Sequence, residues 1–210
     1  MILDIHTHHI PPCPRAIVSV SAGELLPEEG QYYSVGIHPW HTMAAPPASI
    51  IESLRKEAAL PCVAAIGECG YDALKGGPAF RQLQVLKMQV ELSEELRKPL
   101  ILHDVKAHDI ILGCHRDLSP SMPWAIHGFR GKPELARMFA RKGMYLSFSD
   151  KFNSAALAMM LEEYPDRILA ETDESPLPIE KIVETLSATA GRDLTPLLEK
   201  NAVSFFRFCV

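Results

Sequence analysis

Six residues in this chain, His6, His8, Glu68, His103, His127 and Asp173, carry side chains that bind divalent cations, and each stands at the end of a short β-rich run. In Asp4-Ile5-His6-Thr7-His8 the alternation of a strand turns Asp4, His6 and His8 to one face, so two imidazoles on neighbouring inward positions can grip one ion. Asp4, one step deeper, is placed to accept the second ring N–H of a ligating histidine. Glu68 ends an apolar run inside Gly67-Glu68-Cys69-Gly70-Tyr71-Asp72, where glycines allow close approach and two carboxylate oxygens allow a bridge between two ions. His103 closes Pro99-Leu100-Ile101-Leu102, His127 closes Trp124-Ala125-Ile126, and Glu171-Thr172-Asp173 turns Glu171 and Asp173 inward. A buried cluster of imidazoles and carboxylates without a compensating ion costs several kcal/mol, on the order of the whole stability of a domain. Six ligands with a bridging carboxylate exceed one tetrahedral site, so two divalent ions are expected. The donor set suits zinc, manganese, iron or nickel, and magnesium less well.

Two bridged cations lower the pKa of a bound water and polarise the bond it attacks, which points to hydrolysis. Asp173 is the candidate to orient or deprotonate that water, with Glu68 as the bridging partner. Lys106 and Arg130 follow His103 and His127 closely and could neutralise a phosphate; Lys132 reads better as a solvated loop charge. Asp72 is expected to hold its loop. Trp40 could stack on a base, although a tryptophan packed under a loop is commoner.

The elements that must position these residues are β-rich runs alternating with stretches of helical periodicity. Strands are expected at Ile2–His6, Ala16–Val20, Tyr32–Ile37, Val63–Gly67, Leu100–His103, Trp124–His127, Met144–Ser147 and Ile168–Glu171. Helices are expected at Ser49–Ala59, Pro78–Leu96, Ala107–Arg116, Pro133–Lys142, Ser154–Glu163 and Ile179–Ala190, with a last one at Thr195–Phe206. Pro11, Pro12 and Pro14 forbid a helix between the first two strands. The pattern predicts an α/β fold, a (β/α)8 TIM-type barrel whose helical layer lacks the helix after strand 1, built as one domain over residues 1–210. A doubly wound open sheet is the alternative. Active sites of such barrels lie at the C-terminal ends of the strands, where all six candidate ligands fall.

The chain has 210 residues, 47% of them hydrophobic, and a formal net charge of -5, which disfavours broad binding to a phosphate backbone and limits any nucleic-acid contact to a local one. Five cysteines without a C-x-x-C spacing argue against a disulfide framework and a thiolate zinc site, so a cytoplasmic location is expected. No segment reads as a signal peptide or a membrane span, and no protein partner is implied.

Through Asp4-Ile5-His6-Thr7-His8, Gly36-Ile37-His38-Pro39, Gly67-Glu68-Cys69-Gly70-Tyr71-Asp72, Leu102-His103, His127-Gly128-Phe129-Arg130-Gly131, Glu171-Thr172-Asp173 and Asn201-Ala202-Val203-Ser204-Phe205-Phe206, the chain resembles the TatD-type metal-dependent hydrolases, a family that includes deoxyribonucleases. The resemblance implies a TIM-type barrel and a binuclear centre. His6, His8, Glu68 and Asp173 would hold one ion, and Glu68, His103 and His127 the other, with His38 near the substrate phosphate. The chain departs from the family pattern at Val105, where an arginine is usual, with Lys106 beside it. The leading expectation is a phosphodiesterase or deoxyribonuclease acting near strand ends. The alternatives are an amidohydrolase-like enzyme cleaving a small C–N or ester substrate, and a metal-binding barrel without catalysis.

Overall fold

The computed structural model describes residues 3–9 and 15–207. Eight strands, β1 (Asp4–Thr7), β2 (Ala16–Ser21), β3 (Tyr32–Gly36), β4 (Val63–Asp72), β5 (Leu100–Val105), β6 (Trp124–Ile126), β7 (Tyr145–Phe148) and β8 (Ile168–Ala170), close into a barrel in chain order. The pairings of β3 with β4, β4 with β5, β6 with β7, β7 with β8 and β8 with β1 are parallel. Seven helices accompany them among the described residues: α1 (Ala48–Ala58), α2 (Ala79–Leu96), α3 (His108–Leu118), α4 (Pro133–Ala140), α5 (Ser154–Glu163), α6 (Ile179–Ala190) and α7 (Thr195–Phe206). This is the expected α/β barrel with an incomplete helical layer. Neither the β1–β2 nor the β2–β3 connection carries a helix among the described residues, in keeping with the expected helices, the first of which follows the third strand. Ile2 and the prolines of the first connection lie outside those residues.

The chain separates into two compact units, Met1–Ile17 with Ala125–Val210, and Val18–Trp124. In Val18–Trp124 the dominant strand is β4, which was expected to stop at Gly67 but runs to Asp72. Its glycines, expected to allow close approach, keep the strand slim where its neighbours press on it. A Cβ at Gly70 would lie 2.2 Å from the His103 carbonyl oxygen, its register partner on β5, and the backbone there has φ +137°. The register shifts between Ile66 and Cys69, at the level of Glu68.

Helix α2 starts after Pro78, suited to a helix entrance by its fixed φ, and buries Val85, Leu86, Val90 and Leu92. The same face buries two glutamines, two turns apart. Gln89 accepts from the Ile37 N–H at 2.8 Å and donates to the Ile37 carbonyl at 3.1 Å. Gln82 accepts from the Asp72 N–H at 2.9 Å and donates to the carbonyls of Asp72 at 3.0 Å and Gly77 at 2.7 Å. Each amide replaces backbone pairing that the chain loses where a strand gives way to a loop. One helix thereby holds the two loops that follow β3 and β4.

In the other unit, β1 zips onto the segment after β8. The Asp173 N–H donates to the His6 carbonyl at 2.9 Å and the His8 N–H to the Asp173 carbonyl at 3.2 Å. Buried Asn201 of α7 donates to the carbonyls of Pro165 and Ile168, both at 2.8 Å, tying that helix to the entry of β8. Phe129, Phe139 and Phe148 pack edge to face beneath the loop after β6.

Candidate metal centre

In the unit formed by Met1–Ile17 and Ala125–Val210, His6 is fully buried within β1 and His8 lies just past its end, 40% exposed at its side chain. Pairing with the segment after β8 brings the Asp173 carboxylate 3.9 Å from His6 Nε2 and 3.8 Å from His8 Nε2. Those separations are too long for hydrogen bonds and fit donors that each approach one ion to about 2.0–2.2 Å. His6, His127 and Asp173 form a group whose donor atoms all lie within 4.8 Å of one another. The His127 ring packs 4.4 Å from that of His6, and its Nδ1 is 3.5 Å from Glu171 Oε1.

Glu171 was placed inward by the sequence but given no role. Complete burial works to raise its pKa, yet His127 beside it, the charge of His6 and a hydrogen bond from Ser147 hold it below the usual carboxylate value. It also accepts the Gly128 N–H. An ionised carboxylate on one nitrogen of His127 fixes the ring and leaves the other nitrogen for an ion. Asp4 accepts the Thr172 N–H at 2.9 Å, the Thr172 hydroxyl at 2.7 Å and the His6 N–H at 3.4 Å, which locks β1 to the Asp173 segment. Burial pushes the Asp4 carboxyl up to about 7 against those hydrogen bonds. Arg130 is exposed on the loop after β6.

In Val18–Trp124, His38, Glu68 and His103 form a second group with donor atoms within 4.8 Å. Glu68 Oε1 is 2.7 Å from His103 Nδ1 and 3.0 Å from His38 Nε2. A backbone hydrogen bond fixes the tautomer of one of the two histidines. The Trp40 backbone N–H donates to His38 Nδ1 at 3.1 Å, so a neutral His38 carries its proton on Nε2 and acts as a donor there. Burial lowers its pKa and favours that neutral form, although the Glu68 carboxylate acts the other way. His103 faces a carboxylate at each of its ring nitrogens. Its Nε2 is 3.3 Å from Asp72 Oδ2, which leaves Nδ1 as the nitrogen turned toward Glu68. His103 is thus held between two carboxylates, and His38 is set up as a proton donor.

Asp72 does hold its loop, accepting from the Leu74 N–H at 2.8 Å and the Lys75 N–H at 2.9 Å. It also reaches the centre through His103, a link the sequence did not reveal. Burial opposes its charge, but the Trp40 indole N–H at 2.6 Å, the two backbone N–H groups and His103 bring its pKa down to about 2. Lys106 is exposed at the end of β5 with φ +54°.

Chemically, each unit offers imidazole and carboxylate donors at the C-terminal ends of its strands, with charged groups holding the rings. A closed barrel carrying such donors is an architecture suited to holding divalent metal ions. The chain belongs to the TatD-related DNase family, whose model matches residues 17–197.

Among curated proteins it is similar to the 3'-5' ssDNA/RNA exonuclease TatD of Pantoea ananatis, at 32% identity over 76% of this chain and 64% of that protein. The corresponding exonuclease of Erwinia billingiae is 31% identical over 67% of this chain and 56% of its own length. The chain therefore spans less than two thirds of the length of these relatives. A solved TatD homologue from Escherichia coli superposes with a TM-score of 0.81 at 19% identity, covering 99% of this chain and 98% of that one. A TatD family hydrolase from Entamoeba histolytica gives 0.74 at 14% identity, covering 97% of both chains. At these identities the two structures speak for the fold.

Proposed function

We propose that this protein is a metal-dependent phosphodiesterase acting on the ends of single-stranded nucleic acid, as a single hydrolase domain in the cytoplasm. The observation that carries the reading is the pair of imidazole–carboxylate groups, one in each unit, on a chain of the TatD-related DNase family. The relatives named as single-strand exonucleases support the substrate class. No helix among the described residues is long and apolar enough to cross a membrane. Two divalent ions are proposed, with His6, His8, Glu68, His103, His127 and Asp173 as their ligands. The sharing of Glu68 between the ions is carried over from the family resemblance.

The donors fit such ions by type and by the separations around Asp173. When bound, the ions supply Lewis-acid polarisation of a phosphoryl oxygen and acidify water. The chain's own groups do the rest. Asp173 takes the proton of the attacking water, a role open to a carboxylate with 22% of its side chain exposed. His38 Nε2–H donates to a phosphoryl oxygen, and the proton it presents is fixed by Trp40 at its other nitrogen. Lys106 and Arg130 offset phosphate charge from exposed positions.

The test compares linear single strands, closed circular DNA and a small amide or carboxylic ester under identical metal conditions. Metal-stimulated loss of nucleotides from single-strand ends is expected, and Asp173→Asn is expected to keep at least one metal while losing most turnover, about 100-fold or more. Efficient cutting of closed circles, or turnover of the amide alone, overturns the reading.

A further inference from the structure

Above the His38, Glu68 and His103 group, two loops are fastened to each other. The Gly77 N–H donates to Thr42 Oγ1 at 3.2 Å, and a Cβ at Gly77 would lie 2.2 Å from the Thr42 carbonyl oxygen. Buried Gln82 holds the second loop from below, and the Thr42 hydroxyl donates to the Pro39 carbonyl at 2.6 Å in the first. On this rigid base stand large apolar side chains that are left open: Trp40 is 44% exposed, Met43 71% and Leu74 72%.

Trp40 is held at its rim. Its indole N–H donates to buried Asp72 at 2.6 Å, and its ring meets that of His38 edge to face with centroids 4.7 Å apart. The Lys75 ammonium lies 4.4 Å from the Trp40 ring centroid. An indole fixed by a charged hydrogen bond, half open and topped by an exposed cation is an unusual use of a large apolar side chain. Packing explains only part of it, because 44% of Trp40 stays open to water and gains nothing from burial.

We propose that Trp40 is a stacking platform for a nucleobase of single-stranded nucleic acid, with Lys75 as the cation that leaves the ring and pairs with a phosphate of the same strand. The proposal rests on the nucleic-acid reading of the site and adds to it the residue that selects an unpaired end. A base is joined to its phosphate through one sugar, and the Trp40 ring is the neighbour of His38, the proposed phosphate donor. Stacking needs a base that has left its duplex partner, which favours single strands over paired ends and does not depend on sequence, since every base has a π face. The protein's negative charge also leaves little room for a purely electrostatic grip.

The chain provides its own probe, since it has two tryptophans and the other, Trp124, is 1% exposed. Metal-free protein in chelator is titrated with hexathymidylate and with an abasic oligomer of the same length and charge. Saturable quenching of tryptophan emission by hexathymidylate, and little by the abasic oligomer, is the expected result. By labelled-oligomer anisotropy, Trp40→Ala is expected to weaken hexathymidylate binding about 5- to 150-fold, the equivalent of one lost stack, and the abasic oligomer much less. Trp40→Phe, which keeps a ring but loses the N–H to Asp72, restores most of the difference and guards against a folding defect. Equal quenching by both oligomers, or equal losses in Trp40→Ala, overturns the platform. Turnover of bis(4-nitrophenyl) phosphate, which has no base, tests the phosphodiesterase reading separately. Turnover of that ester without base-dependent quenching refutes the platform alone, and base-dependent quenching without phosphodiester turnover refutes the activity alone.

Discussion

Replacing Gln82 by methionine keeps nearly the length of the side chain and removes only its amide. In the folded protein that amide satisfies the Asp72 N–H and the Gly77 carbonyl, and shares the Asp72 carbonyl with the Gly76 N–H. The first two groups would be stranded at a position where Gln82 itself is 2% exposed. At about 1–3 kcal/mol for each buried group left without a partner, the expected loss is about 2–6 kcal/mol. That is a large fraction of the roughly 5–15 kcal/mol that stabilises a domain. With a urea slope of about 2 kcal/mol/M, the unfolding midpoint of the metal-free protein should fall by about 1–3 M. Gln89→Met makes a parallel case, because it strands the Ile37 N–H and carbonyl in the same way. A change below about 1 kcal/mol in both variants, the range of an ordinary surface substitution, would refute the claim that α2 holds these loops through its amides.

Two further outcomes are expected. His6→Ala and His103→Ala should each lower the divalent metal content of the purified protein only in part, as measured by elemental analysis; unchanged content in both would sink the ligand assignment. The depressed Asp72 pKa contributes stability that is present above the unfolded value near 4 and is lost as pH falls toward about 2. Unfolding titrations of the metal-free wild type between pH 5 and 2 should therefore lose at most about 2 kcal/mol that Asp72→Asn does not lose; identical slopes for the two proteins would contradict the assigned charge state.

Much of the fold could be read directly because the barrel's two periodicities are clean in this chain. Helices such as Ser154–Glu163, Ile179–Ala190 and Thr195–Phe206 coincide with their expected spans, since their apolar faces repeat without interruption and their starts are marked by Asn153, Pro178 and Pro196. Strand β4 was misjudged at its end, because Gly67 and Gly70 mark loops in most sequences and serve here to admit the neighbouring strands. The donor residues were visible as polar side chains ending apolar runs. Their supports were not. Asp72 acts on His103 across two strands, Glu171 acts on His127 from β8 to β6, and Gln82 and Gln89 look like ordinary wet helix residues until the loops they hold are in place. Such roles depend on distant pairings, which local spacing does not encode.

The amide clamps of α2 also bear on how this protein can change over generations. Gln82 and Gln89 grip main-chain atoms, which every residue possesses, and make no demand on what side chains the two loops display. Met43, Leu74 and Lys75 can therefore be exchanged without loosening the scaffold beneath them, whereas Trp40 is tied through its indole N–H to Asp72 and so to His103. Apart from Trp40, substrate preference and foldability are inherited on separate residues, so a lineage can explore new rims one exposed side chain at a time.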